Sequence, residues 1–370
     1  MDKLAVELVT LIAYFACTDG GQTGAALSLV SKHIHHATRP ARFYSVSLIH
    51  SAAQVEHFVQ SYKAELDRST DAVPRVRHLC LSFFGQSIDA SASPPAAPAA
   101  PPAFKPPSTR EEFLAQQQQR AQRMRATQTR MDDQYVRVVP ELIRLVAPTL
   151  ESFACAQAQW RSSAIIDVVF PCLGEMTLVG GDPAFLPFSM VSADRPRYPA
   201  LRRLHHIPSL LNKQVDFFQW AVHAPNLTHL RVSRMGAHPE ITVDTLVKVM
   251  GPNAPENVFP HMRQIVVQPQ PSPPSAASGP PGAVERAFDA LCDRLRVAVR
   301  GARVPTVLFK PMVVPEGTPA TNPSKGCVRK LQNEWMTRIE GGEGCWNSVI
   351  GESTIDRCWR SPVMEVGLAQ

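Results

Sequence analysis

One short phrase recurs along the chain and restricts the possible folds more than any other feature of the sequence. Each copy begins with a proline, and apolar residues follow two, five and seven positions after it. Complete copies begin at Pro74, Pro148, Pro171, Pro225 and Pro260, and a sixth, from Pro199, has His206 in its last apolar position. Such repetition is typical of stacked-repeat proteins, because one unit is too small to bury its own apolar face.

The spacing within each copy predicts a β-strand. Its last two apolar residues lie two positions apart, which places both on one face of a strand. From Pro148 to Pro260 the copies start 23 to 35 residues apart, which suits one strand and one helix or irregular turn per unit. We therefore predict an α/β fold with a mostly parallel, curved sheet, arranged as an irregular solenoid of the leucine-rich-repeat type around one apolar core.

The residues between the apolar positions are predicted to point from the opposite sheet face. They form a mixed polar set with several cations and one carboxylate, which fits either a solvated face or a partner-binding face, since solenoids commonly bind on this side. Ser82 and Gln268 are predicted to be exposed there. The candidate partner-binding residues are His78, Glu175, Thr177, Arg203, His205, His229, Arg231, Ser233 and Gln264.

The chain divides into three predicted regions. Residues 1–50 contain two amphipathic helices, at 3–17 and 23–37, and a short strand near 44–48; residues 51–325 contain the repeats, and residues 326–370 form a cap or tail. The stretch 87–108 is rich in alanine, proline and serine and is predicted to be a disordered insertion, while 268–282 is predicted to be a proline- and serine-rich loop. In the tail, Trp335, Trp346 and Trp359 are predicted to pack onto the last repeat.

Composition and motifs indicate binding rather than catalysis. The chain lacks a G-x-S-x-G, H-E-x-x-H, Walker-type or G-x-G-x-x-G motif, so we expect no enzymatic activity and no cofactor. The eight cysteines are scattered without a C-x-x-C pair, so no metal site is expected and free thiols in the reducing cytoplasm or nucleus are the better interpretation.

Membranes and nucleic acids are not expected as partners. No stretch approaches the roughly 20 apolar residues of a membrane helix. The net charge of +6 is modest, and the arginine-rich stretch 109–134 contains few aromatic residues that could stack on bases. We interpret that stretch as a helix with a solvated basic face.

The amino-terminal region resembles an F-box-like domain of the kind that precedes leucine-rich-type repeats in many fungal proteins. The resemblance lies in Ala26–Ser31 (ALSLVS) and Tyr44–Leu48 (YSVSL), which are similar to the second helix and the following strand of that family; the opening leucine-proline of the usual motif is absent. The glycine- and tryptophan-containing stretch 335–346 is similar to the end of the same proteins. The resemblance implies a helical module that docks on the Skp-type adaptor of a cullin ubiquitin ligase while the repeats hold a substrate.

Two functions follow as expectations. In the first, the chain is a protein–protein interaction module that recognises substrates for such a ligase, with an apolar adaptor-binding face made of Leu8, Leu11, Ile12, Leu27, Val30 and Ile34. The same residues could instead pack inward against the first repeat. In the second, the chain is a repeat scaffold without a ligase link, and the amino-terminal helices serve only to cap the solenoid.

Overall fold

The structure is a computed structural model of the 370-residue chain. It describes residues 4–68, 73–84, 110–157, 164–188, 195–208, 215–235, 239–256, 258–270, 282–311 and 323–346. The predicted insertion at 87–108, most of the loop predicted at 268–282, and Trp359 lie outside these ranges.

Eight strands form a single open sheet. They are β1 (Ser45–Leu48), β2 (His78–Ser82), β3 (Ser152–Ala156), β4 (Glu175–Val179), β5 (Arg203–Ile207), β6 (His229–Met235), β7 (Gln264–Pro269) and β8 (Thr306–Leu308). Their order in the sheet is their order in the sequence, and every neighbouring pair is parallel. The predicted α/β class and the parallel sheet are therefore confirmed.

The recurring phrase supplies the core face of this sheet. In β2, Leu79 and Leu81 are fully buried, and they are in register with Phe153 and Cys155 of β3. The corresponding pairs of the later strands join the same cluster, with the exception of His206. Alternation therefore directs one apolar row per strand into a continuous core, as the spacing predicts.

Helices lie on both faces and at the first edge of the sheet. Their bounds are α1 (Val6–Ala16), α2 (Gln22–Leu27), α3 (Lys32–Thr38), α4 (Ala52–Arg68), α5 (Arg110–Val146), α6 (Phe217–His223), α7 (Pro239–Met250), α8 (Ala283–Arg300) and α9 (Pro323–Ile339). Helices α4 to α8 each contribute buried apolar side chains to the core face, such as Val55 from α4 and Leu295 from α8.

The helix predicted at 23–37 is wrong in one respect, because the structure has two helices there. Helix α2 ends at Leu27, and α3 begins after Ser31, whose Oγ accepts a hydrogen bond from Ile34 N at 3.2 Å. Serine at this position satisfies an amide that the first turn leaves without a partner, so it favours a new helix start. The interruption lets α3 turn back and pack against α1.

The described part of the tail, up to residue 346, lies on earlier strands rather than on the last repeat, which corrects the prediction for Trp335 and Trp346. Helix α9 lies across the second face of the sheet, opposite the core face. Val328, Leu331 and Trp335 pack there in a second apolar cluster with residues of β2 to β5. Small side chains on that face, Cys80, Ala154 and Ala156, let the helix approach closely, and this was not anticipated from the repeat pattern.

Candidate interaction surfaces

The amino-terminal helices cap the first edge of the sheet. Ser47 N of β1 donates to Gly20 O at 3.0 Å, and Ser45 Oγ donates to Cys17 O at 2.7 Å. Gly20 has φ +81°, and a side chain there would contact Ser47 Cβ at 2.8 Å, so the turn requires glycine. These bonds fix α1 and α2 to the edge strand, whose amide groups would otherwise remain open to other chains.

Residues on the inner side of α1 pack against α3 and hold this cap together. Val9 lies against Ile34 and Ala37 of α3, while Ala13 packs with Cys17 and Ala41. Thr10 Oγ1 donates to Ala37 O at 2.6 Å and joins α1 to the end of α3.

The outer side of the same helices is apolar and exposed. Leu8, Leu11, Ile12 and Phe15 follow helical spacing along α1, and between 50 and 77% of each is accessible to solvent. Leu29 and Val30, between α2 and α3, are 86 and 65% exposed. Eight of the eighteen exposed large apolar side chains in the described part of the chain lie between residues 4 and 30. We call the set Leu4, Val6, Leu8, Leu11, Ile12, Phe15, Leu29 and Val30 the apolar face.

The six residues predicted to bind an adaptor do not all lie on the exposed outer side of the amino-terminal helices. Leu8, Leu11, Ile12 and Val30 belong to the apolar face. Leu27 is half-buried between the two small clusters, and Ile34 is 5% exposed, so Ile34 is structural rather than available for contact. Phe15 and Leu29 were missed, although both continue the apolar spacing and are more exposed than the residues chosen.

The predicted partner-binding residues do lie together on the second face, but much of that face is covered by the chain itself. Six residues predicted to point into solvent are buried, namely His78, Ser82, His205, Arg231, Ser233 and Gln268. Glu175, Thr177, Arg203, His229 and Gln264 are half-buried. The expectation of an exposed face is wrong for the first group because other parts of the chain cover it. The 323–346 segment packs on β2 to β5 and bonds to Arg231, and Gln268 Nε2 donates to Lys310 O at 3.5 Å.

Glu175 is the main polar anchor of that segment. Its carboxylate accepts from Arg338 Nε and Nη2 at 2.9 and 2.7 Å and from Trp346 Nε1 at 3.1 Å. The same hydrogen bonds raise the pKa of Arg338. A planar guanidinium that meets both carboxylate oxygens gives a strong and directional pair, so Glu175 fixes the end of α9 on the sheet.

A buried polar network continues from this anchor to β7. Arg231 donates from Nε to Ser233 Oγ at 3.1 Å and from Nη2 to Gln268 Oε1 at 3.0 Å, and it also bonds to Cys345 O. His205 Nε2 lies 3.0 Å from Ser233 Oγ. Burial, with the Arg231 charge second, lowers the pKa of His205 well below its usual value. The network is therefore part of the interior rather than a free binding surface.

A basic groove remains open beside the covered area, at the amino ends of β3 to β7. Its volume is about 1100 Å³, its cationic lining is formed by Arg202, Arg203 and Arg263, and His229 and His261 also line it. Glu151 is the carboxylate in its lining, and it already pairs with Arg77 at 2.9 Å. The groove thus has an excess of positive charge.

His206 has a structural role in the core. It replaces an apolar residue on the core face and is fully buried, and its Nε2 lies 2.9 Å from Asp182 Oδ1. The same oxygen accepts from Trp220 Nε1 at 2.9 Å. These contacts join β5 and α6 to the turn after β4, which agrees with the interpretation of His206 as a core histidine.

Among the described residues, no helix combines the length and the apolar character needed to cross a membrane. In the same ranges, no three or more His, Cys, Asp or Glu side chains are grouped closely enough to hold a metal ion.

Comparison of the chain with protein-family models, with curated proteins and with solved structures found no match. A function must therefore be argued from the surfaces of this chain.

Proposed function

We propose that the protein is a protein–protein interaction module of the leucine-rich-repeat-like solenoid type, whose amino-terminal helices dock on the Skp-type adaptor of a cullin ubiquitin ligase. The sheet domain would hold a second protein as the substrate. The recognition subunit would thus join two proteins without performing chemistry itself.

The apolar face is the observation that carries the adaptor proposal. A stripe of Leu8, Leu11, Ile12 and Phe15 is left exposed although the other side of α1 is well packed. Contiguous exposed apolar patches on a folded domain mark interaction sites more often than isolated apolar residues do. Helical anchors at this spacing are one common way in which proteins recognise each other.

The order of the strands supports the solenoid part of the proposal. Every strand pairs only with its neighbours in the sequence, and each copy of the phrase provides one strand. This is the arrangement expected when similar units are stacked one after another.

A scaffold without a ligase link is the second candidate, and the hydrogen bonds to β1 favour it. Ser47 and Ser45 bond to the Cys17–Gly20 segment, so the helices serve as an edge cap whether or not they bind another protein. In this function the apolar face would have no adaptor, and the sheet domain alone would bind partners.

Binding of the purified chain to a purified Skp-type adaptor separates the two candidates. We expect a complex by gel filtration and calorimetry, and we expect Leu11→Lys/Ile12→Lys to weaken it by about tenfold or more, because apolar anchors dominate such contacts. The matched control is Phe113→Lys/Leu114→Lys, which changes two similarly exposed apolar residues on α5.

Circular dichroism verifies that both variants are folded. A folded wild-type chain that does not bind the adaptor would remove the ligase function and leave the scaffold. Equal weakening by both double variants would show that the apolar face is not the docking site.

A further inference from the structure

The basic groove has a regular construction that follows from the sheet. Immediately before the strands, Arg202 N donates to Gly174 O, Thr228 N donates to Arg202 O, and Arg263 N donates to Thr228 O, at 2.8 to 2.9 Å. Arg202 and Arg263 therefore occupy equivalent positions on either side of Thr228. Since adjacent strands are about 4.8 Å apart, their backbones are held roughly 10 Å from each other.

The arginines at these positions are not neutralised locally. Among the described residues, no carboxylate forms an ion pair with Arg202 or Arg263, and both are exposed. The carboxylates nearby are engaged by other arginines, Glu151 by Arg77, and Glu175 by Arg338 and by Arg203, whose Nη1 lies 3.8 Å from Glu175 Oε2.

His229 lines the same groove, next to Arg203 of the neighbouring strand. Burial lowers its pKa first, and the charges of Arg203 and Arg263 lower it further, while Glu175 opposes them. The groove is thus a region of positive potential that would favour an anion.

We propose that this groove binds a short acidic segment of a protein, with Arg202 and Arg263 as its principal contacts. The inference rests on the proposed role of the sheet domain in holding a protein partner, and it names the chemistry of that partner. The charge can come from a run of carboxylates or from a phosphorylated side chain, because a guanidinium binds either group with two hydrogen bonds.

The lining favours a peptide over nucleic acid. It provides the side-chain oxygens of Asn226 and Thr228, which can accept from a peptide backbone while their donors bond to Pro199 O and Arg202 O. Among the described residues, its lining contains no Phe, Tyr or Trp on which a base could stack. Helix α9 and the 344–346 turn limit the groove on the side of the covered face, where Trp346 lies 6.1 Å from His229 by ring centroids.

Fluorescence polarisation with the full chain tests the inference. The probes are three labelled peptides of one glycine- and serine-containing sequence that carry four glutamates, one phosphoserine or four glutamines, together with an oligothymidylate. We expect the glutamate or the phosphoserine peptide to bind, and the glutamine peptide not to bind. Arg202→Gln/Arg263→Gln should weaken binding by about tenfold or more, because two charge-assisted contacts are lost.

The matched control is Arg120→Gln/Arg125→Gln, which removes the same charge from exposed positions on α5. Equal weakening by both double variants would overturn the inference in favour of non-specific charge attraction. Failure of both acidic peptides to bind would also overturn it, and tighter binding of oligothymidylate through Arg202 and Arg263 would replace it with nucleic-acid binding.

Adaptor binding is measured on the same preparations. The groove variant should bind the adaptor as the wild type does, since Arg202 and Arg263 are not part of the apolar face. Loss of peptide binding with adaptor binding intact therefore supports the inference, and failure of adaptor binding alone concerns only the proposed ligase link.

Discussion

His78 makes the stability of the fold depend on pH, whatever the function of the protein. Its imidazole lies at the start of β2, where Nδ1 is 2.9 Å from Ser152 Oγ and the ring packs edge-on against Tyr44. Burial, and secondly the charge of Arg77, lowers its pKa from 6.5 to about 4, whereas Glu175 opposes the shift. The folded protein therefore holds His78 neutral where the unfolded chain would bind a proton.

Stability should consequently fall as the pH decreases from 7 to 5. A histidine whose pKa is depressed by folding contributes its full stability above the unfolded value near 6.5, and this is lost as the pH approaches about 4. Between pH 7 and pH 5, His78 lowers the free energy of unfolding by about 2 kcal/mol. Buried His205 changes it in the same direction.

Urea unfolding at pH 7, 6 and 5 measures this effect. His78→Gln should reduce the fall in the free energy of unfolding, whereas His261→Gln, which changes an exposed histidine, should not. An unchanged pH dependence in His78→Gln would contradict the burial of this ring.

At the scale of elements, α9 decides which part of the sheet is available to other molecules. Its apolar residues recur at Val328, Leu331 and Trp335, a helical spacing that matches one buried side. Strands β2 and β3 below it provide the small residues cysteine and alanine. Helix α9 and these strands are thus complementary although they are far apart in the sequence.

Trp335 is the largest contact of α9 with the sheet, and its removal tests the position of the helix. Its indole is 5% exposed, and Nε1 donates to Ser152 Oγ at 3.1 Å. Trp335→Ala should lower the free energy of unfolding by about 3–5 kcal/mol, because a large cavity remains. Chemical denaturation measures this free energy, and Asn333→Ala, which changes an exposed residue of α9, is the control. If Trp335→Ala were as stable as the wild type, α9 would have to lie elsewhere.

At the scale of the whole molecule, one core connects strands that never touch. Each strand bonds only to its sequence neighbours, yet the buried cluster extends from Phe43 near β1 to Leu295 on α8. The 323–346 segment adds a second connection, because it contacts residues from β2 to β6.

These connections predict that the described core unfolds as one unit. Leu79→Ala in β2 and Leu230→Ala in β6 should each lower the free energy of unfolding by about 2–5 kcal/mol within a single transition. Far-ultraviolet circular dichroism and tryptophan fluorescence during urea unfolding should give coincident curves. Two separate transitions in either variant would mean that the ends of the sheet unfold independently. Leu114→Ala, which changes an exposed residue, is the control.

The local pattern predicted much of the fold because it needs only neighbouring residues. Two apolar residues at a spacing of two determine which face of a strand is buried, and the proline that precedes them ends the previous element. The predicted helix at 3–17 and the strands of the phrase were found for this reason. The break between α2 and α3 was missed because the apolar spacing continues through Ser31, whose capping role depends on its backbone conformation.

The parallel α/β sheet with one apolar row per strand could be read from the chain alone, because strand periodicity and repetition are local properties. Three features depend on the folded arrangement: α9 covers part of the second face, Ile34 is buried while Leu11 is exposed, and Arg202 and Arg263 share one groove. Residues far apart in the chain meet through strand pairing and helix packing, and the sequence spacing between them contains no measure of that distance.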